Sequence, residues 1–309
     1  MKLMIQNISK SYGKNLALDN ISLELNCGIY ALLGPNGSGK TTLMNIITGN
    51  VRSDQGDILY CENGDPESIF KMRTRFCEKL GYMPQYPGFY PHFTVEQFLQ
   101  YVATLKDIGR NMSHKEKKNY INDQISNLLV AVELEDVRNN RISTLSGGMK
   151  QRLGLIQAVL GDPKILILDE PTAGLDPKQR ISVRNFISKI ALSKIVIFAT
   201  HVVSDVEFIA KEVILLKKGH VVDTASPEEL IHKIGNLVWE ISCKSDLVEK
   251  MQKQYCVVNI APKDSEEDSV VLRILSSNRP TESAKKAIPT LEDYYLYTFN
   301  QSTQNNKIL

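Results

Sequence analysis

The stretch Gly34-Pro35-Asn36-Gly37-Ser38-Gly39-Lys40-Thr41 decides the fold of this chain. It follows an apolar run at residues 29–33 that predicts a strand, and a predicted helix begins near Lys40. Glycines in such a loop let the backbone wrap closely around phosphates, and the first N–H groups of the helix supply positive potential. We therefore predict a phosphate-binding site made of Gly34, Asn36, Gly37, Ser38, Gly39, Lys40, Thr41 and Thr42.

Two side chains of this loop have predicted roles. Lys40 is expected to reach the β- and γ-phosphates of a nucleotide, and the Thr41 hydroxyl is expected to bind magnesium. The plain alternative is a glycine-rich turn without a ligand. The strand–loop–helix context favours the phosphate site.

Two carboxylates end an apolar strand farther along, in Ile165-Leu166-Ile167-Leu168-Asp169-Glu170. Asp169 is expected to hold magnesium, and Glu170 is expected to accept a proton from an attacking water. An apolar strand that ends in two acids is often only structural. A phosphate loop in the same chain favours the catalytic interpretation.

A third segment, Leu145-Ser146-Gly147-Gly148-Met149-Lys150-Gln151-Arg152, opens an amphipathic helix. Ser146 is a good N-cap, and the two glycines leave the first N–H groups of the helix sterically bare. Taken alone, the segment is better explained as an ordinary helix start.

The order of predicted strands and helices describes an α/β core with a helical insertion. Short strands over residues 1–33, a helix near residues 68–77 and later strand–helix alternation up to residue 224 predict a mainly parallel sheet covered by helices. Apolar residues at 3-to-4 spacing over about 94–161 predict the inserted helical subdomain. Residues 225–309 predict a small α+β appendage, with a polar and disordered tail from Asn300.

Composition and charge argue against several classes of protein. The net charge is +2, from 37 basic and 35 acidic side chains, so there is no electrostatic case for nucleic acid. Five scattered cysteines argue against a disulfide framework or a zinc site. The N-terminus lacks the apolar core of a signal peptide, and no apolar stretch approaches the ~20 residues of a membrane helix. We expect a cytoplasmic protein whose membrane role, if any, comes through a partner.

Together these segments resemble the nucleotide-binding subunits of the ATP-binding-cassette (ABC) superfamily, over residues 1 to about 224. The resemblance implies a P-loop NTPase core of the ABC type that binds ATP and Mg²⁺. It also implies roles for four further residues. These are Tyr12, which would stack on adenine; Gln85, which would touch magnesium and water; Asp176, on the loop Ala173-Gly174-Leu175-Asp176 that would cross between subunits; and His201, which would sense the γ-phosphate.

Each of these four residues also has an ordinary alternative. Tyr12 alone could be any core or surface aromatic, and Gln85 a solvated loop residue. Asp176 could simply cap a helix before Pro177, and a lone histidine such as His201 is usually structural. The order of the motifs along the chain carries the assignment.

The resemblance implies that ATP is bound between two subunits. The phosphate loop of one subunit would face Ser146, Gly147, Gly148 and Asp176 of a second copy or of a related ATPase subunit. The implied catalytic residues are Glu170, His201, Gln85 and Lys40. The implied magnesium ligands are Thr41, Gln85 and Asp169.

The expected output is transport through separate permease subunits, with this chain peripheral on the inner face of the membrane. The aromatic segment Tyr86-Pro87-Gly88-Phe89-Tyr90-Pro91-His92-Phe93-Thr94 could receive a coupling helix of the permease, or it could pack under the helical subdomain. This segment and Pro289-Thr290-Leu291-Glu292-Asp293-Tyr294-Tyr295 resemble exporter subunits, so we expect export.

Two rival functions share part of this pattern. A soluble ABC ATPase that acts on ribosomes or chromosomes usually has two cassettes or a long coiled-coil insertion, and this chain has neither. A small-molecule kinase with the same phosphate loop would not need residues 145–148 or His201.

Overall fold

The computed structural model describes residues 1–263 and 268–300 and divides the chain into two units, Met1–Thr224 and Ala225–Leu309. The tail predicted beyond Asn300 lies outside the described residues. The strands of the first unit are β1 (Lys2–Tyr12), β2 (Asn15–Leu25), β3 (Gly28–Leu33), β4 (Gln55–Cys61), β5 (Glu67–Ser68), β6 (Leu80–Met83), β7 (Ile165–Asp169), β8 (Ile195–Ala199), β9 (Glu212–Lys217) and β10 (His220–Ala225), which ends at the boundary. Its α-helices are α1 (Lys40–Ile47), α2 (Ile69–Met72), α3 (Thr74–Cys77), α4 (Val95–Leu105), α5 (His114–Ala131), α6 (Gly147–Val159), α7 (Pro177–Ala191) and α8 (Val203–Glu207).

A six-stranded sheet with the order β10-β9-β3-β8-β7-β6 forms the centre of the first unit. The strands from β9 to β6 pair in parallel. The central strands β7 and β8 are buried almost throughout, which explains why their sequences are continuous apolar runs. Parallel strands end at one edge of the sheet, so this edge carries the phosphate loop after β3, the two acids at the end of β7 and His201 after β8. The α/β prediction is confirmed.

A second, antiparallel sheet has the order β2-β1-β4-β5, and the sequence did not predict it. The prediction of only short strands over residues 1–33 is wrong, because β1 and β2 each extend over 11 residues. Asn7 and Asn20 both adopt φ of 52°, and Asn7 Nδ2 donates to Asn20 Oδ1 at 2.8 Å. These two positions lie where the pairing register of β1 with β2 shifts, and they interrupt the alternation of apolar and polar residues. The full length of the two strands therefore cannot be seen in the sequence.

The prediction of one helix near residues 68–77 is also wrong in detail. The structure has two four-residue helices there, α2 and α3, separated at Arg73. Arg73 has φ of 49°, which an α-helix cannot contain. The apolar spacing of the segment gives no sign of this break.

The predicted helical block contains α4, α5 and α6. Thr94 and Ser113 begin α4 and α5 with reciprocal capping boxes, and Ser146 Oγ accepts from Met149 N at the start of α6. One face of α4 and α5 is buried, whereas α6 is buried from Arg152 to Val159 except at Gln157, which is half-buried. No helix in the described part of the chain is long and apolar enough to cross a membrane.

The second unit combines an antiparallel sheet with short helices, as the sequence predicts for residues 237–275. Its elements are α9 (Pro227–Lys233), β11 (Val238–Lys244), α10 (Val248–Gln254), β12 (Cys256–Pro262), β13 (Ser269–Leu275), β14 (Lys285–Lys286) and α11 (Leu291–Asn300). The sheet order is β12-β13-β11-β14, and its core includes Trp239 and Ile274. Arg273 on β13 binds both carboxylate oxygens of Asp293 on α11, at 2.9 and 2.7 Å. This bidentate pair fixes α11 to the sheet.

Candidate functional site

The phosphate loop has a backbone that only glycine can adopt at two positions. Gly37 has φ of 77° and Gly39 has φ of 108°. A Cβ on Gly39 would lie 2.7 Å from the backbone oxygen of Ala17, and a Cβ on Gly34 would lie 2.2 Å from that of Leu216. The glycines therefore let the loop curl tightly against its neighbours between β3 and α1.

The polar groups of the loop fit a phosphate. Lys40 Nζ donates to the backbone oxygens of Gly34 at 2.6 Å and Pro35 at 3.2 Å, which places the ammonium inside the curl of the loop. Burial lowers the pKa of Lys40, while the negative charges of Glu170 and Asp169 oppose that shift. Ser38 is buried, and its hydroxyl has no hydrogen-bond partner among the described residues. A buried hydroxyl and a half-buried ammonium are both suited to phosphate oxygens.

The two acids at the end of β7 have different environments. Burial raises the pKa of Asp169 to about 6; the adjacent Glu170 charge adds to the shift, and Lys40 opposes it. A divalent cation would relieve this repulsion between carboxylates. No group of three or more His, Cys, Asp or Glu side chains in the described residues forms a metal site. Mg²⁺ would thus depend on Asp169, the Thr41 hydroxyl and substrate phosphate oxygens, which is how proteins usually hold it.

Glu170 is fixed through its backbone as well as its side chain. Its φ of 53° lies in the left-handed region, which is uncommon for a residue with a side chain. Its N–H donates to Ala199 O at 2.8 Å, and its backbone oxygen accepts from Gln151 Nε2 at 2.6 Å. The structure therefore holds the backbone of Glu170 from both β8 and α6.

The structure brings the Glu170 carboxylate and His201 together. Oε1 accepts from His201 N at 3.0 Å and lies 2.8 Å from His201 Nδ1, and Oε2 accepts from Thr200 Oγ1 at 3.1 Å. Glu170 is buried, whereas the His201 side chain is 71% exposed. One buried carboxylate is thereby aimed at the sheet edge with a solvent-facing imidazole beside it.

The remaining predicted residues form no hydrogen bond with Glu170 or His201 within the described residues. Tyr12 is exposed at the end of β1, and Gln85 is exposed just after β6. Ser146 and Gly147 are exposed at the start of α6, and Asp176 Oδ1 accepts from Gln179 N as the N-cap of α7. Within the described residues, no hydrogen bond or ion pair joins any of these five positions (Tyr12, Gln85, Ser146, Gly147 and Asp176) to the phosphate loop. The capping alternatives for Ser146 and Asp176 are both true of the structure.

The sequence analysis missed several residues around Glu170. Gln151 lies in the quoted segment at 145–152 but received no role, although a polar side chain on an otherwise buried helix is a usable signal. Thr200 and the pair of Thr172 and Asp205 were not noticed either. Thr172 Oγ1 donates to Asp205 Oδ2 at 2.5 Å, and both residues are buried.

The chain is similar to known ATP-binding proteins of transporters. The ABC transporter family model matches residues 18–173. The chain is 35% identical over 246 residues to an uncharacterised ABC transporter ATP-binding protein, YxlF, of Bacillus subtilis, covering 79% of this chain and 78% of that one. It is 34% identical to a sulfate/thiosulfate import ATP-binding protein of Halalkalibacterium halodurans, over 74% of this chain and 63% of that one. It is 31% identical to a Nod factor export ATP-binding protein of Cupriavidus metallidurans, over 80% of this chain and 76% of that one.

Among solved structures, a dimeric ATP-binding cassette in a post-hydrolysis state with bound ADP and phosphate is similar to this chain. The TM-score is 0.63 and the sequence identity 26%, and the match covers 72% of this chain and 98% of that one.

Proposed function

Since this chain belongs to the ABC transporter family as an ATP-binding subunit that hydrolyses ATP, we propose that it closes as a dimer over ATP and thereby drives export through separate permease subunits. One observation carries the proposal. The phosphate loop and the helix start at Ser146 both expose phosphate-binding groups, yet no hydrogen bond joins them within the described residues. A second copy related by two-fold symmetry would complete two equivalent sites.

In each composite site, most of the polar groups come from one subunit. Lys40 and the N–H groups of the phosphate loop bind the phosphates, and Tyr12 stacks on adenine. Thr41, Asp169 and Gln85 would hold Mg²⁺, which would supply positive charge to the phosphates. The exposure of Tyr12 and Gln85 supports these roles, since both are accessible to a nucleotide.

The second subunit contributes Ser146, Gly147, Gly148 and Asp176. The bare N–H groups at the start of α6 would bind the γ-phosphate, whose loss on hydrolysis would release the contact. Gly148 is packed closely, since a Cβ there would lie 3.0 Å from Gln179 Oε1 and 3.3 Å from the Leu175 side chain. The segment leading to Asp176 and the start of α6 therefore touch within one subunit.

Glu170 accepts the proton of the attacking water. Three hydrogen bonds orient its carboxylate, and Oε2 accepts only one of them, from Thr200 Oγ1. Oε2 therefore keeps a lone pair for that proton. His201 is the exposed member of the Glu170–His201 pair, and it contacts the γ-phosphate. Because His201 also contacts the Glu170 carboxylate, the charge of the γ-phosphate is coupled to the position of the base.

The permease docks on the aromatic segment that begins at Tyr86. The two interpretations of this segment both have support, because Phe89 packs edge-on against Phe98 of α4 with ring centroids 5.3 Å apart, whereas Tyr86 is 84% exposed. The packed rings of Phe89 and Phe98 support the segment, and the exposed Tyr86 contacts the permease. The likeness of this segment and of residues 289–295 to exporter subunits supports export, and relatives named for import leave the opposite direction as the alternative.

A coupling experiment tests this function. A candidate permease is co-expressed with this chain, and ATP hydrolysis of the complex is compared for wild type, Tyr86→Ala and the equally exposed Leu192→Ala on α7's C-terminal side. We expect Tyr86→Ala to lose the permease-stimulated part of turnover and to keep the basal part, with Leu192→Ala unchanged. Stimulation by ribosomes instead of the permease would contradict the proposal.

Direction is tested with the complex in inside-out vesicles and candidate cargoes. ATP supplied outside the vesicles, where this chain would lie, should drive cargo into them. ATP-dependent loss of preloaded cargo would show import.

A further inference from the structure

A fully buried carboxylate, Asp205 on α8, lies four positions after His201 and has no role in the chemistry described so far. Burying a charge is costly unless it is paired. Thr172 Oγ1 donates to its Oδ2 at 2.5 Å. Arg184 Nη1 and Arg180 Nε, both on α7, lie 3.7 and 3.9 Å from its Oδ1.

The partners of Asp205 belong to different segments of the site. Thr172 lies on the loop that runs from Glu170 to Asp176, and Arg180 lies on α7, which begins just after Asp176. Asp205 itself follows His201. One side chain therefore connects the segment that would contact the second subunit with the segment that carries the imidazole.

The pair of Asp205 and Arg180 lacks a hydrogen bond. Asp205 Oδ1 and Arg180 Nε are both buried, and neither has a hydrogen-bond partner within the described residues, although they are only 3.9 Å apart. An N–H···O hydrogen bond needs a separation about 1 Å shorter. Two unsatisfied buried groups that face each other favour any arrangement in which the gap closes.

We propose that Asp205 is a positioning residue that couples movement of the loop ending at Asp176 to His201 and Glu170. In the ATP-bound dimer, the second subunit presses on this loop, α7 shifts, and the hydrogen bond from Arg180 Nε to Asp205 Oδ1 forms. His201 is thereby brought into contact with the γ-phosphate only when the second subunit is bound. This inference rests on the proposed dimeric function.

The test separates coupling from mere support of the fold. Asp205→Asn keeps the shape but removes the charge that faces α7, Thr172→Val removes the bond to Asp205, and Thr172→Ser keeps it. Thr74→Val, an exposed threonine on α3, and Asn185→Ala, an exposed position on α7, are the matched controls. ATP hydrolysis is measured as kcat and KM, together with ATP-driven dimerisation and thermal unfolding.

We expect Asp205→Asn and Thr172→Val each to lower kcat by ~10–10²-fold, the range for a misplacement of about 1 Å, with KM within a factor of two. The double variant should be no slower than the worse single variant, because both act through one connection. Thr172→Ser should restore most of the turnover, and both controls should match wild type.

Three results would overturn the inference while leaving the proposed function intact. These are wild-type kcat in both Asp205→Asn and Thr172→Val, losses that multiply in the double variant, and a loss confined to the unfolding temperature. If Asp205→Asn fails to fold, the comparison of Thr172→Val with Thr172→Ser decides. Failure of the wild-type protein to dimerise with ATP would instead contradict the proposed function itself.

Discussion

Replacing Glu170 by glutamine isolates the proton-accepting role of the carboxylate. The carboxylate receives hydrogen bonds from Thr200 Oγ1, His201 N and His201 Nδ1. Glutamine has the same shape and keeps one acceptor oxygen, so the backbone hydrogen bonds to Ala199 and Gln151 should persist. What is lost is the basic oxygen that takes the proton.

The size of the effect follows from that loss. A positioned general base contributes roughly 10²–10⁴-fold to a rate, which is about 2.7–5.4 kcal/mol at 1.36 kcal/mol per decade. Because Lys40 and the phosphate loop are untouched, the KM for ATP should change by less than about threefold.

The assay is release of inorganic phosphate at saturating Mg²⁺-ATP, with Glu135→Gln as an exposed, charge-matched control. Glu135→Gln should hydrolyse ATP at the wild-type rate. Wild-type turnover in Glu170→Gln would remove Glu170 from the role of base. A loss seen only in KM would assign it to binding instead.

Three further substitutions test the framework around the site. Gly39→Ala places a side chain at φ of 108° and 2.7 Å from a backbone oxygen, which strains the loop by about 1–3 kcal/mol. The Kd for ATP, measured by calorimetry, should therefore rise, and unchanged affinity would show that the loop tolerates a side chain there. Gln151→Leu removes the 2.6 Å hydrogen bond to the Glu170 backbone, worth about 1 kcal/mol, and should lower kcat roughly fivefold without changing KM; a change in KM alone would contradict it. Arg273→Met leaves the buried Asp293 carboxylate without its charged partner, although Thr290 still donates to it, and the free energy of unfolding of the second unit in urea should fall by about 3–5 kcal/mol. Adding Asp293→Asn should recover part of the loss, and equal stability of the single variant would show that the pair does not hold α11.

The parts of the site that follow from local chain patterns were predictable. The phosphate loop is a contiguous motif between a strand and a helix, and the acids at the end of β7 follow an unbroken apolar run. Because parallel strands end at one edge, the sequence also indicated that these groups meet. The starts of α4, α5 and α6 likewise follow from local capping residues.

The parts that depend on tertiary neighbours were not predictable. Contact between Glu170 and His201 requires β7 and β8 to be adjacent and Glu170 to adopt φ of 53°, and no local pattern encodes either. The antiparallel sheet was missed because its irregular residues break the alternation. Asp205 lies in a short apolar-rich segment, and the residues that face its buried charge, Thr172, Arg180 and Arg184, are far from it in the sequence.

In the proposed dimer, bound ATP joins two copies of this chain across the phosphate loop and the start of α6. Light scattering coupled to size-exclusion chromatography, on Glu170→Gln with saturating Mg²⁺-ATP, tests it most directly, with Ser146→Arg added as the control that blocks the opposing helix start. We expect the mass of two chains with ATP, and of one chain with ADP or in the control. A single-chain mass for Glu170→Gln at saturating ATP, persisting when the permease subunits are supplied, would contradict it.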